Sequence, residues 1–303
     1  MKEILPVKKV KIVEVGPRDG FQNESIIIDT NQKIKIIEKL SKTGLKYIEI
    51  TAFVSPKWIP TLSDHKEVAD SINRYPGVIY QALVPNIRGY IAARECNIDE
   101  VSIIISASET HNKKNINCTT DDAFKRYEQI AYQAKKDNIA FKSYISCAFG
   151  CPYEGHIDPN TVVNIAIKLL DLGAYEISIG DTIGAANPNQ VKSLISKLLL
   201  KIPASKISLH MHDTRGMALV NIYNAIQLGI STFDSSFGGL GGCPYAPGAS
   251  GNVATEELIN MLHDIDIETS IDIKKICSIS LEMQKILGRK LPSKILALYN
   301  DIL

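Results

Sequence analysis

The sequence predicts an α/β fold, a closed (β/α)8 TIM barrel with extra C-terminal helices. Three observations carry this. Eight short apolar, β-branched runs recur along the 303 residues, amphipathic helical stretches separate them, and no Pro/Gly/Ser-rich linker divides the chain. A hydrophobic content of 45% is ample for one large core. An open, doubly wound sheet is the runner-up. Its dinucleotide-binding form is disfavoured because no strand leads into G-x-G-x-x-G.

In chain order, the predicted strands are Val10–Val15, Tyr47–Phe53, Ile79–Val84, Val101–Ile105, Ala140–Cys147, Tyr175–Gly180, Ile207–His212 and Thr232–Phe237. Most are nearly continuous in Ile, Val, Tyr and Ala, as expected of strands buried on both faces of a parallel sheet. Between the first two, Ile34, Ile37 and Leu40 fall on one helical face, with Thr30 or Asn31 as the cap. Thr120 or Asp121 caps a helix running through Lys136. Val162, Ile165, Leu169 and Leu172 mark another helix, and Gly44 and Gly173 stand where C-terminal caps belong. Glu256–Leu262 closes the barrel. Residues 1–303 are expected to form a single catalytic domain, with 271–303 as a helical extension.

A formal net charge of +1 gives no global field that favours nucleic acid or an anionic membrane. No apolar stretch is long enough to span a bilayer. Residues 1–10 show no signal or transit pattern, so the expected location is cytoplasmic. The six scattered cysteines are expected to be reduced, without a disulfide framework.

Active sites of such barrels form at the C-terminal ends of the strands. The first strand ends in Gly16-Pro17-Arg18-Asp19-Gly20. This is either a solvated polar turn or a metal-ligating Asp19 beside an Arg18 that stabilises developing negative charge. The seventh ends in His210-Met211-His212-Asp213. Alternate strand residues share a face, so His210 and His212 can bind one metal. Asp181, at the end of the sixth, is a partner of substrate or ligand, or else the cap of a turn. Glu49 lies within an apolar strand, where an unpaired charge is costly, and Arg18 is its expected partner. Imidazole, carboxylate and amide oxygen ligands with open positions suit Mg²⁺ or Mn²⁺ better than a structural Zn²⁺. The stretch Gly238–Asn252 is rich in glycine and reads as a flexible loop over the barrel mouth or a phosphate cradle. Cys243, within it, is the best candidate for a reactive thiol.

Several stretches together resemble the 3-hydroxy-3-methylglutaryl-CoA lyases: Val10–Glu24, Phe53–Trp58, Lys113–Cys118, Cys147–Gly155, Gly180–Gly184, His210–Thr214 and Gly238–Asn252. The resemblance implies a metal-dependent TIM barrel that cleaves 3-hydroxy-3-methylglutaryl-CoA to acetyl-CoA and acetoacetate. It implies Asp19, His210, His212 and Asn252 as ligands of Mg²⁺ or Mn²⁺. It also implies Arg18, Glu49, Asp181 and Cys243 in catalysis. The expected partners are an acyl-CoA substrate and a second copy of the chain in a homodimer, with no nucleic acid and no membrane. Two alternatives stay open among enzymes, a Claisen-condensing synthase of the same superfamily and a lyase for a related 3-hydroxyacyl-CoA. A non-catalytic metal-binding barrel is a third. Phe21 and Ala52 depart from the commoner Leu and Ser, and Ala52 is expected near the mouth, where it would alter acyl preference.

Overall fold

A computed structural model describes residues 6–241 and 251–299. Its elements alternate as the sequence predicts. They run β1 (Lys11–Glu14), α1 (Thr30–Leu40), β2 (Tyr47–Ala52), α2 (His65–Ser71), β3 (Ile79–Leu83), α3 (Ile87–Glu95), β4 (Glu100–Ser106), α4 (Glu109–Ile116) and α5 (Thr120–Asp137). They continue with β5 (Ala140–Ser146), α6 (Pro159–Asp171), β6 (Ile177–Asp181), α7 (Pro188–Leu199), β7 (Ile207–Met211), α8 (Ala218–Gln227) and β8 (Thr232–Ser235). Among the described residues, three α-helices follow the last strand: α9 (Thr255–Asp264), α10 (Ile273–Leu287) and α11 (Lys294–Tyr299). All eight strands are parallel and each pairs with the next, while β8 pairs with β1 to close the barrel. The sheet therefore has no open edge.

The ring of core between strands and helices is apolar. Ile36, Ile37 and Leu40 of α1 are fully buried, as are Val162 and Leu169 of α6. Ile34, expected on the buried face of α1, is only partly covered. Two caps differ from expectation. Asp29, not Thr30 or Asn31, accepts the amides that open α1, and Thr119, not Thr120 or Asp121, caps α5. In each case the residue one or two positions earlier has the extended backbone that a capping side chain needs.

Inside the barrel the strands are polar, although the sequence reads as nearly continuous apolar runs. Side chains from non-adjacent strands touch there. Lys11 of β1 binds Glu176, which precedes β6, at 2.6 Å, and Lys142 of β5 binds Asp234 of β8 at 3.3 Å. Glu49 of β2 is reached by Ser102 of β4 and by Tyr144 of β5. Such contacts cross the lumen, so these residues point inward while the alternating Ile, Val and Leu face the helices. A buried charge persists only when paired, and each of these has a partner.

Candidate active site

The chain reaches the C-terminal mouth of the barrel first after β1. Three amides, those of Arg18, Asp19 and Gly20, converge on the carbonyl of Val15 in a single π-helical turn, Gly16–Gly20. A Cβ at Gly16 would lie 2.5 Å from the Phe237 ring and 2.7 Å from Glu14 Oε1, so only glycine lets the turn pack there. The turn delivers adjacent opposite charges. Arg18 donates from Nε to Glu49 Oε2 at 2.5 Å and from Nη1 to Asp19 Oδ1 at 2.6 Å. Its guanidinium stands 5.5 Å from the centroid of the Tyr144 ring. Glu49 is fully buried and also accepts from Ser102 Oγ and Tyr144 OH. The Arg18–Glu49 pair expected from sequence is present.

Asp19 meets the end of β7. His210 Nε2 and His212 Nε2 are 3.3 Å apart, and His210 Nε2 is 3.9 Å from Asp19 Oδ2. One ligand atom from each of the three lies within 4.8 Å of the others. Burial raises the Asp19 carboxyl, but Arg18, His210, His212 and the Asn252 amide overcome it and hold the group at about 2. Burial and the neighbouring His210 push His212 down to about 4, against Asp19. It is therefore neutral near pH 7, with a lone pair to offer. Two imidazole nitrogens at this separation with a carboxylate beside them form a donor set that a shared cation satisfies.

Asn252 arrives from the far side of the sequence. The chain returning at Gly251 is laid against the ends of β7 and β8. Asp213 N donates to Gly251 O at 2.7 Å, Val253 N to Met211 O at 3.0 Å, and Ser236 N to Val253 O at 3.0 Å. The Asn252 amide is thereby placed 2.6 Å from Asp19 Oδ2, with Nδ2 as the donor. A half-turn of the amide presents Oδ1 instead. Gly241 makes room for it: its φ is +115°, and a Cβ there would sit 2.5 Å from Asn252 Nδ2.

The remaining sequence candidates divide. Asp181 is buried at the end of β6, but both its oxygens accept backbone amides, from Ala185 at 2.8 Å and Ala186 at 3.0 Å. Burial raises it to about 6 against those hydrogen bonds. It holds a turn, and its neighbours Gly180 and Thr182 line the cavity. Cys243 and most of the glycine-rich stretch lie outside the described residues. Ala52 ends β2 at the mouth end of the barrel and is fully buried; Val54 and Ser55, just beyond it, line the cavity.

Arg18, Asp19, His210 and His212 open into a cavity of about 610 Å³. Its lining also includes Lys113 and Lys114, which are exposed, with Arg126 and Trp58. Sequence reasoning assigned no roles to this cationic rim or to Tyr144, which lines the inner wall. The Lys142-Ser143-Tyr144 alternation within β5 was the available signal. Among the described residues no helix is long and apolar enough to cross a membrane.

This geometry has close counterparts. The HMGL-like family model matches residues 9–282. Hydroxymethylglutaryl-CoA lyase YngG of Bacillus subtilis is 50% identical over 294 residues, covering 97% of this chain and 98% of that protein. A crystal structure of the Bacillus subtilis HMG-CoA lyase superposes with a TM-score of 0.96 at 50% identity, over 97% of this chain and 98% of that one. An HMG-CoA lyase from Acinetobacter baumannii, in complex with coenzyme A and 3-methylmalate, superposes with a TM-score of 0.91 at 40% identity, over 97% and 96%. A match over nearly the whole barrel, with the Arg-Asp turn and paired histidines at its mouth, means that the chain belongs to the HMGL-like family, with the hydroxymethylglutaryl-CoA lyases among its relatives.

Proposed function

We propose that this protein is a carbon–carbon lyase that cleaves 3-hydroxy-3-methylglutaryl-CoA to acetyl-CoA and acetoacetate. The observation that carries the reading is the meeting, at one barrel mouth, of the Asp19–His210–His212 cluster with the Arg18–Glu49 pair. The relatives at about 50% identity bear the same activity in their names, and a CoA complex is known for one structural neighbour.

In this reaction the C3 hydroxyl loses its proton and the C2–C3 bond breaks. C3 becomes the ketone of acetoacetate, and C2 is left as the thioester enolate, which a proton converts to acetyl-CoA. Asp19, His210, His212 and Asn252 would hold Mg²⁺ or Mn²⁺, and a divalent ion there supplies Lewis acidity toward the substrate oxygens. Arg18 places fixed positive charge where the enolate oxygen develops. Glu49 holds the guanidinium in place from behind, so little reorganisation is needed as the bond breaks. Tyr144 packs against this pair and keeps water from its inner side. Asp181 fixes the turn that presents Thr182 to the cavity. Cys243 is the proposed proton carrier to or from the substrate. Lys113, Lys114 and Arg126 at the rim suit the phosphates of the CoA moiety.

The same proposal takes the protein as a cytoplasmic homodimer, each chain one catalytic domain with residues 271–303 as its helical extension. The deciding experiment is a coupled assay for acetoacetate with and without EDTA. Acetoacetate released from the thioester, and its loss on chelation, is the expected result. Carbon–carbon bond formation from an acyl-CoA and a keto acid, with no cleavage, would instead identify a condensing synthase.

A further inference from the structure

Beneath His210 lies a group of buried residues that the reaction does not touch, and His210 joins them to the site. Lys142, Ser178, His210 and Asp234 come from the four successive strands β5, β6, β7 and β8, and all are buried. His210 and Asp234 are register partners across the β7–β8 pair. Asp234 Oδ1 takes Lys142 Nζ at 3.3 Å. Its Oδ2 takes Ser178 Oγ at 2.9 Å and faces His210 Nδ1 at 3.2 Å. Lys142 and Asp234 are about 1% and 0% exposed at their side chains, so neither charge is shared with solvent.

We infer that Asp234 is the positioning residue that selects the Nδ1–H tautomer of His210, with Lys142 and Ser178 keeping it aimed. A carboxylate paired with a buried ammonium is acceptor-only. The nitrogen that faces it must therefore donate, which fixes the proton on Nδ1. Nε2 is then left bare, 3.3 Å from His212 Nε2 and 3.9 Å from Asp19 Oδ2, where a cation ligand is required to offer its lone pair. Tyr144 packs against the same imidazole in a T-shaped contact, ring centroids 5.7 Å apart. Lys142 supplies the counter-charge without which a carboxylate in the lumen is costly. His212 has no equivalent device: its Nδ1 is buried with no hydrogen-bond partner among the described residues. The tautomer is thus fixed at one imidazole of the two.

The inference rests on Asp19, His210 and His212 being cation ligands, and the test separates the two. Ring ¹⁵N–¹H correlation spectra of the full-length, metal-free protein under alkaline conditions report the tautomer, with His210→Asn giving the assignment. Protonated Nδ1 and bare Nε2 at His210 are expected. A signal from Nε2–H at His210 overturns the inference with no variant needed. Calorimetric titration with Mn²⁺ alone gives the second readout. Asp234→Asn can present an N–H to the ring, so its Kd is expected to rise about 10–100-fold. A folded Asp234→Asn chain with an unchanged Kd and tautomer but a lower Tm would make the pair a structural strut and refute the positioning role. If Asp234→Asn strands Lys142 and fails to fold, Lys142→Met/Asp234→Asn removes both charges and is judged by the same Kd criterion. Failure of the unaltered protein to bind Mn²⁺ overturns the ligand reading instead, whatever the tautomer.

Discussion

Arg18 shows how one side chain serves two masters. Its Nε is committed to Glu49 and its Nη1 to Asp19, so the fork is held in a fixed plane beside the ion ligands. Lysine keeps the charge but has no planar fork, and it cannot reach two carboxylates in this geometry at once. Arg18→Lys is therefore expected to lower kcat by about 10²–10³-fold, the cost typical of losing one preorganised donor, with little change in KM. Steady-state kinetics decide. A rise in KM alone would make Arg18 an anchor for the substrate rather than a stabiliser of the enolate. The Arg18–Glu49 pairing was legible in the sequence because a carboxylate flanked by Ile48 and Ile50 demands a partner, and Arg18 stands at a neighbouring strand end. Lys142, Tyr144 and Asp234 were not. The polar alternation within β5 hints at an inward face but names no partner, and only closure of the barrel brings β5 opposite β8.

Among the elements, the base of the mouth depends on two buried carboxyl groups. Glu14, ending β1, accepts from Gly16 N at 2.8 Å, Phe237 N at 3.0 Å and Thr255 Oγ1 at 2.8 Å. Glu256 of α9 accepts from Gly238 N and from Ser280 Oγ of α10. Together they bind the Arg-Asp turn, the end of β8 and the C-terminal helices into one unit. Burial outweighs these hydrogen bonds and raises Glu14 to about 8 and Glu256 to about 7, from the ordinary 4.5. In the unfolded chain both lose protons near 4.5. Their contribution to stability is therefore fully present below that pH and is lost as pH rises toward about 8, on the order of a few kcal/mol. Urea unfolding across this range should show stability falling with pH, and Glu14→Gln should flatten the slope. An undiminished slope in that variant would mean that Glu14 titrates elsewhere. Element positions were mostly legible, since a period near 3.6 and short β-branched runs survive any tertiary context. The caps were not, because adjacent Asp, Thr and Asn residues are chemically interchangeable and only the backbone turn picks one.

At the scale of the whole molecule, the proposed ion site is assembled from opposite ends of the sequence: Asp19 from the start and His210 and His212 from the seventh strand, which could hold a metal, with Asn252, from the chain after the eighth, hydrogen-bonded to Asp19. Asp19 and the two histidines were legible from their places at strand ends, whereas Asn252 was legible only through motif resemblance, because nothing in local pattern says that residues 19 and 252 meet. What brings Asn252 home is the frame around residues 242–250. Gly251 N donates to Gly241 O at 3.2 Å, and residues 251–253 are stitched to Met211, Asp213 and Ser236. In polymer terms the frame is a clasp. Once the ends are pinned, the entropic cost of closing a loop lengthened by a flexible insert grows only with the logarithm of its length, so a doubling costs about 0.6 kcal/mol. Inserting a Gly/Ser segment as long as residues 242–250 should therefore move Tm by only about 2 °C and leave Mn²⁺ affinity intact, while turnover falls as Cys243 is displaced. Differential scanning calorimetry and Mn²⁺ titration on that one variant would tell whether the clasp alone holds Asn252. A collapse of both would mean that the stretch itself is part of the load, and that the mouth of this barrel has far less room to change its length than its pinned ends imply.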